Sequence, residues 1–173
     1  MIERKTTEWM LLPLKRYAEF SGRSPRAEYW WFVLFSFLVS IPAGIIDAIL
    51  GIQIAGGLLS LGLLLPSLAV GVRRLHDLDR SGWWILAPLA VIVPTIGGAA
   101  VMGGAGAIGG LLGSVGAAGA GFGGAMVVIV LGLVIGAGIS IMLFIWYCTR
   151  GTAGPNRYGS DPLAPAENPT LYY

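Results

Sequence analysis

Read for apolar and polar positions, the chain divides into long uncharged runs separated by short charged stretches. Residues 29–50, YWWFVLFSFLVSIPAGIIDAIL, carry one charge, Asp47, near the far end, and residues 52–72 carry none. About 20 helical residues, rising 1.5 Å each, cross a hydrocarbon core of roughly 30 Å, so each run predicts one span. A charged island at residues 73–84 follows, and then residues 81–149 contain no charge at all. That stretch is long enough for a third span over 83–102 and a fourth over 126–148, with an insert at 97–125 between them. The pattern predicts an all-α integral membrane protein, a four-helix bundle.

The flanks are amphipathic or polar. In residues 1–28, Trp9, Leu12, Pro13, Tyr17 and Phe20 recur at helical spacing with Glu8, Lys15 and Glu19 off the stripe, which predicts a short helix in the membrane interface. Ser24 before Pro25 reads as the start of the first spanning helix, the serine oxygen capping a free N–H. Tyr29, Trp30 and Trp31 stand where an aromatic belt belongs. The first apolar run is read as a retained anchor, because a long polar arm precedes it. Residues 149–173 are rich in proline and turn formers and predict a tail folded first against the membrane face and then loose.

The insert is the ambiguous element. Residues 97–124 hold 13 glycines and 7 alanines, and glycine costs about 1 kcal/mol relative to alanine in a soluble helix. That cost favours a mobile, partly helical connection. Small residues at Gly109, Gly113, Ala117, Gly121 and Ala125 nevertheless recur every four positions, as in helices that approach closely or self-associate.

Composition agrees with a membrane class: 55% of the 173 residues are hydrophobic and 12% charged, against roughly 25% charged in soluble domains. The basic residues fix orientation. Six lie before the first span (Arg4, Lys5, Lys15, Arg16, Arg23, Arg26), three in the island (Arg73, Arg74, Arg80) and two in the tail (Arg150, Arg157), with none in the other two connections. Retention of positive loops in the cytoplasm then predicts both termini inside. Cys148 is alone, so no intramolecular disulfide forms.

Candidate chemistry gathers at the basic edge. If the second helix runs on through the island, Arg73, His76, Asp77 and Arg80 share a face, joined by Arg74 and Asp79, by Arg23, Arg26 and Glu28 from the first helix, and by Asn156, Arg157 and Asp161 from the tail. These residues predict an interfacial polar network that pins helix ends and tail together. His76 with Asp77 or Asp79 could serve as a general base, but no nucleophile accompanies them. One histidine and one cysteine give no metal ligand set, and no cofactor motif or nucleic-acid surface is present. Asp47, with prolines 42, 66, 88 and 94, raises the alternative of a small oligomeric transporter or channel. Arg73, Arg74 and Arg80 beside Trp9, Trp30, Trp31, Trp83 and Trp84 suit contact with anionic lipid. A non-catalytic role binding lipids or a membrane partner, self-association included, ranks first, transport second and catalysis last.

Three separated motifs add a resemblance. Phe20-Ser21-Gly22-Arg23-Ser24-Pro25-Arg26-Ala27-Glu28-Tyr29-Trp30-Trp31, then Arg73-Arg74-Leu75-His76-Asp77 with Asp79-Arg80-Ser81-Gly82-Trp83-Trp84, then Gly151-Thr152 with Asn156-Arg157-Tyr158-Gly159 and Asp161-Pro162, stand in an order similar to the YhaH/YhaI family of small bacterial inner-membrane proteins, a domain of unknown function. The resemblance covers about residues 10–162. It implies a bacterial inner-membrane helical bundle and brings no catalytic residues. The glycine-rich insert departs from it, since typical members join the last two spans more briefly.

Overall fold

A computed structural model of the protein describes residues 6–164; Arg4 and Lys5 of the arm, and the end of the tail read above as loose, lie outside them. The described chain is helical, with α1 Thr6–Lys15, α2 Arg26–Leu50, α3 Ala55–Asp77, a 3-10 turn Gly82–Leu86, α4 Ala87–Leu111 and α5 Val115–Cys148. Four helical segments are long and apolar enough to cross a membrane, the all-α class that the apolar runs predict. The chain forms two compact units, one running to Ile85 and resuming at Trp146, the other Leu86–Ile145.

In the first unit α2 and α3 form an antiparallel hairpin. At one end the Ser24 N–H donates to the Arg73 carbonyl (3.1 Å); at the other, Asp47 of α2 meets the start of α3. Helix α1 packs across both, with Pro13 buried and the Tyr17 hydroxyl donating to the Gly62 carbonyl at 2.6 Å. It stops short of the predicted stripe: Tyr17 and Phe20 lie beyond it and stay exposed, while Arg16 pairs with Glu19. The expected serine cap is also displaced. Helix α2 begins one residue later than expected, Pro25 occupies the N-cap without a side-chain hydrogen bond, and Ser24 is fully buried, spending its backbone N–H rather than its hydroxyl. The best-buried apolar side chains, Phe32, Ala69, Val70 and Leu75, lie at the charged end of the hairpin and form the floor on which the polar groups stand.

Asp47 has a local role at the far turn. Gly51 closes α2 in the left-handed region (φ 67°), where glycine carries no Cβ penalty. The Asp47 carboxylate then accepts the N–H groups of Ala55 and Gly56, both at 2.8 Å, two of the four donors that a helix start leaves open. A carboxylate there also meets the positive end of the α3 dipole. We expect Asp47→Ala to cost about 1 kcal/mol and Asp47→Asn less, measured by thermal unfolding in detergent; equal melting of all three proteins would refute the capping role.

The second unit is a tight helical hairpin, and it corrects the reading of the insert as a mobile connection. Helix α4 runs on to Leu111 and α5 starts at Val115, so only residues 112–114 form the turn. Gly113 is left-handed (φ 78°); its N–H bonds the Gly110 carbonyl, and the Ser114 N–H bonds that of Gly109, a Schellman stop. Ser114 Oγ then accepts the Ala117 N–H at 3.2 Å as the cap of α5. The reason for helix here is solvent: in lipid each N–H and C=O must find a partner within the chain, which outweighs glycine's entropic cost.

Candidate functional site

The charged end of the first unit is built from three chain segments around the last turn of α3. That helix ends with Leu78 as its cap and Asp79 in the left-handed region (φ 56°). The Asp79 N–H bonds the His76 carbonyl and the Arg80 N–H that of Leu75, again a Schellman arrangement, with aspartate where glycine is usual. Because the helix stops there, Arg80 leaves the face that a continuous helix would have given it. Its guanidinium lies 3.9 Å from the centroid of the Trp146 ring, and Trp84 meets the same ring edge-on.

Asp77 is the hub. Arg23 donates to its Oδ1 through Nε at 3.0 Å, with NH2 at 2.9 Å, and Arg74 pairs with its Oδ2. Arg23, Arg74 and Asp77 are all buried, with relative exposures of 6%, 0% and 4%. A second ion pair, Arg73 NH2 to Glu28 Oε1 at 3.0 Å, is equally buried. Isolated charges could not be desolvated so completely, but paired ones with hydrogen-bonded neighbours can.

The remaining donors of Arg23 and Arg74 satisfy helix and tail carbonyls, whereas Arg73 Nε donates to the Ala69 carbonyl of its own helix at 3.4 Å and its NH1 meets no acceptor among the described residues. Arg74 reaches the carbonyls of Tyr147 and Thr149, Arg26 that of Cys148 at 3.2 Å, and Trp30 Nε1 that of Tyr147 at 3.3 Å. These are orphan carbonyls of the α5 C-terminus, where cations also oppose the helix dipole. Arg23 donates from NH1 to the Gly154 carbonyl and from NH2 to the Thr152 carbonyl, both at 2.6 Å.

The tail repays α3 in kind. The Thr152 N–H and hydroxyl donate to the Asp77 carbonyl (2.9 and 3.1 Å), and Asn156 Nδ2 donates to that of His76 at 2.9 Å. Gly151 is obligatory here, because a Cβ would fall on the Asp77 carboxylate. Arg157 pairs with Asp79 at the surface. The ring of His76 stacks on Tyr158 with centroids 3.8 Å apart and planes 4° apart, and its Nδ1 lies 3.2 Å from the Gly22 carbonyl. Asp161 accepts the N–H groups of Leu163 (2.9 Å) and Gly154 (3.1 Å). The Leu163 bond above all, with that of Gly154 beside it, holds its carboxyl below the ordinary value.

The structure thus brings Arg23, Arg26, Glu28, Arg73, Arg74, His76, Asp77, Asp79, Asn156, Arg157 and Asp161 to one end of the unit. Asp47 stands at the opposite end of the hairpin. Arg80 sits at the charged end but stacks on Trp146 instead of joining the ion pairs. Trp30, Tyr147, Gly151, Thr152 and Tyr158 belong to the site as well; Trp30 is legible as an aromatic-belt residue, Gly151, Thr152 and Tyr158 only as members of the quoted motifs, and Tyr147 carries no signal in the sequence. Among the described residues no three His, Cys, Asp or Glu side chains are grouped to hold a metal ion.

Comparison with known proteins places this architecture. A family model described as "Protein of unknown function (DUF805)" matches residues 17–160. The chain belongs to the DUF805 family. The matched span takes in both helical hairpins and the charged end apart from Asp161. The inner membrane protein YhaI of Escherichia coli (strain K12) is 34% identical over 157 residues, 90% of this chain and 95% of that protein. Inner membrane protein YhaH of the same strain is 30% identical over 161 residues, 90% of this chain and 96% of that protein. No solved structure matches. The chain is therefore an integral inner-membrane protein of the DUF805 family, a family without an assigned activity.

Proposed function

We propose that this protein is a non-catalytic membrane protein that binds lipids or a membrane partner through its charged end, which faces the cytoplasm together with both termini. One observation carries the reading. The groups a catalyst would need are spent on one another: Asp77 between two arginines, Asp79 on Arg157, and His76 between the Gly22 carbonyl and the Tyr158 ring. They hold three segments together. The orientation rests on the arginines and lysines, which all flank the same side of an even number of spans. Transport loses its main support, since the Asp47 carboxylate caps α3 at the far turn. Buried Arg73 and Arg74 are also withdrawn from lipid contact, which shifts that role to the exposed arginines.

Native mass spectrometry of the protein gently extracted from its own membrane, paired with flux assays in liposomes, tests this. The expected result is retained lipid or protein and no flux of ions or solutes across a broad panel. A defined solute bound at fixed stoichiometry, with flux lost in Asp47→Ala, would overturn it in favour of transport.

A further inference from the structure

A polar cavity of about 120 Å³ lies at the charged end, walled in part by Arg23, Arg26, Arg150, Asp77, Asp161 and Thr152. Its charges are not equally available. Arg23 gives its donors to Asp77 and to tail carbonyls. Asp77 is matched by Arg23 and Arg74, and Asp161 accepts two backbone N–H groups. Two guanidinium groups keep donors to spare. Arg26 is exposed and uses NH1 alone, on the Cys148 carbonyl, and Arg150 donates no hydrogen bond among the described residues. With Arg74 behind Asp77, four guanidinium groups stand against two carboxylates, so the cavity carries surplus positive charge.

Its volume and position narrow the ligand. About 30 Å³ per water gives room for about four waters, or for one phosphate group without the rest of a large head group. Arg26 is the first residue of α2, with Tyr29, Trp30 and Trp31 within its next turns, so the cavity lies at the level of an aromatic belt and of lipid phosphates. Arginine's planar fork binds phosphate oxygens in pairs. The surplus positive charge opposes the ammonium of a zwitterionic head group. We propose that Arg26 and Arg150 form a phosphate site for the head group of an anionic phospholipid. The proposal rests on the lipid-binding reading above and assigns it a place.

The test is native mass spectrometry of the full chain released from nanodiscs of equal phosphatidylglycerol and phosphatidylcholine, for the wild type, Arg150→Gln, the Arg26→Gln/Arg150→Gln pair and Arg157→Gln. Arg157 is a charge control, exposed at the same end and outside the cavity wall. The wild type should keep one phosphatidylglycerol in preference, and Arg150→Gln should weaken retention about tenfold at an unchanged melting temperature, while Arg157→Gln should retain lipid normally. Unaltered retention in the double variant, or an equal loss in Arg157→Gln, would overturn the site. Inorganic phosphate or glycerol phosphate at millimolar concentration should not displace the lipid. If either does, and raises the melting temperature as the lipid does, the ligand is a soluble anion and the lipid assignment fails. Solute flux in liposomes would instead bring down the functional reading, whichever way lipid retention falls.

Discussion

Asp77→Ala is expected to lower stability by about 3–5 kcal/mol, because it leaves two buried guanidinium groups without their shared counter-charge. Arg23 and Arg74 are held beneath the surface only by that carboxylate and by carbonyls of the tail and of α5. Alanine removes the negative charge but none of the desolvation, so both arginines must either stay buried and uncompensated or pull out, releasing the tail. Asp77→Asn keeps the volume and one acceptor and should lose less. Arg157→Ala is the internal control: its pair with Asp79 is exposed, with side-chain exposures of 68% and 39%, and such pairs contribute about 0–1 kcal/mol. Thermal unfolding in detergent, followed by circular dichroism, should rank the proteins wild type, Arg157→Ala, Asp77→Asn, Asp77→Ala from most to least stable. Equal melting of the two alanine variants would mean that the hub is not what holds this end together.

The same hub shows how far residue pattern alone reaches. That the charged residues of the island, the first helix and the tail meet at one end followed from the positions of the apolar runs, because lipid leaves such groups only the span ends. Partner choice did not follow. A face drawn on a continuous helix put Arg80 with Asp77, but the left-handed Asp79 ends α3 and sends Arg80 to Trp146. Arg73 and Arg74 are adjacent in sequence and so point to different sides of α3, one to Glu28 of α2 and the other to Asp77 and the end of α5. Those α5 carbonyls carry no side-chain signal at all, since a helix end is a backbone feature. Asp47 looked like an intramembrane charge because its partners are likewise backbone N–H groups, eight and nine residues further on. The insert departs from its pattern for a different reason: the glycine penalty belongs to water, and the surroundings of this chain offer few competing hydrogen bonds.

Glycine in the second unit is therefore best understood position by position, and Gly121 should be the least replaceable. A Cβ there would fall on the backbone of Gly106 and on the Met102 carbonyl, whereas one at Gly119 or Gly116 would meet open space within the hairpin. The neighbouring contacts repeat the theme, with Gly109 against Ala117 and Gly132 against Thr95. Between helices in lipid, attraction comes from close van der Waals contact rather than from expulsion of water, so a forced separation at one crossing loosens contacts along the whole pair. Backbone cannot move aside as a flexible side chain can, and we expect Gly121→Ala to cost about 1–3 kcal/mol as an overpacked contact. Gly119→Ala, on the same helix and of identical chemistry, should stay within about 1 kcal/mol of wild type and on the stabilising side, because alanine is the better helix former. Unfolding by graded addition of SDS to mixed micelles, read by circular dichroism, measures both. A midpoint for Gly121→Ala at or above that of Gly119→Ala would show that close approach at Gly106 does not hold the hairpin, and that its glycines serve contacts outside it.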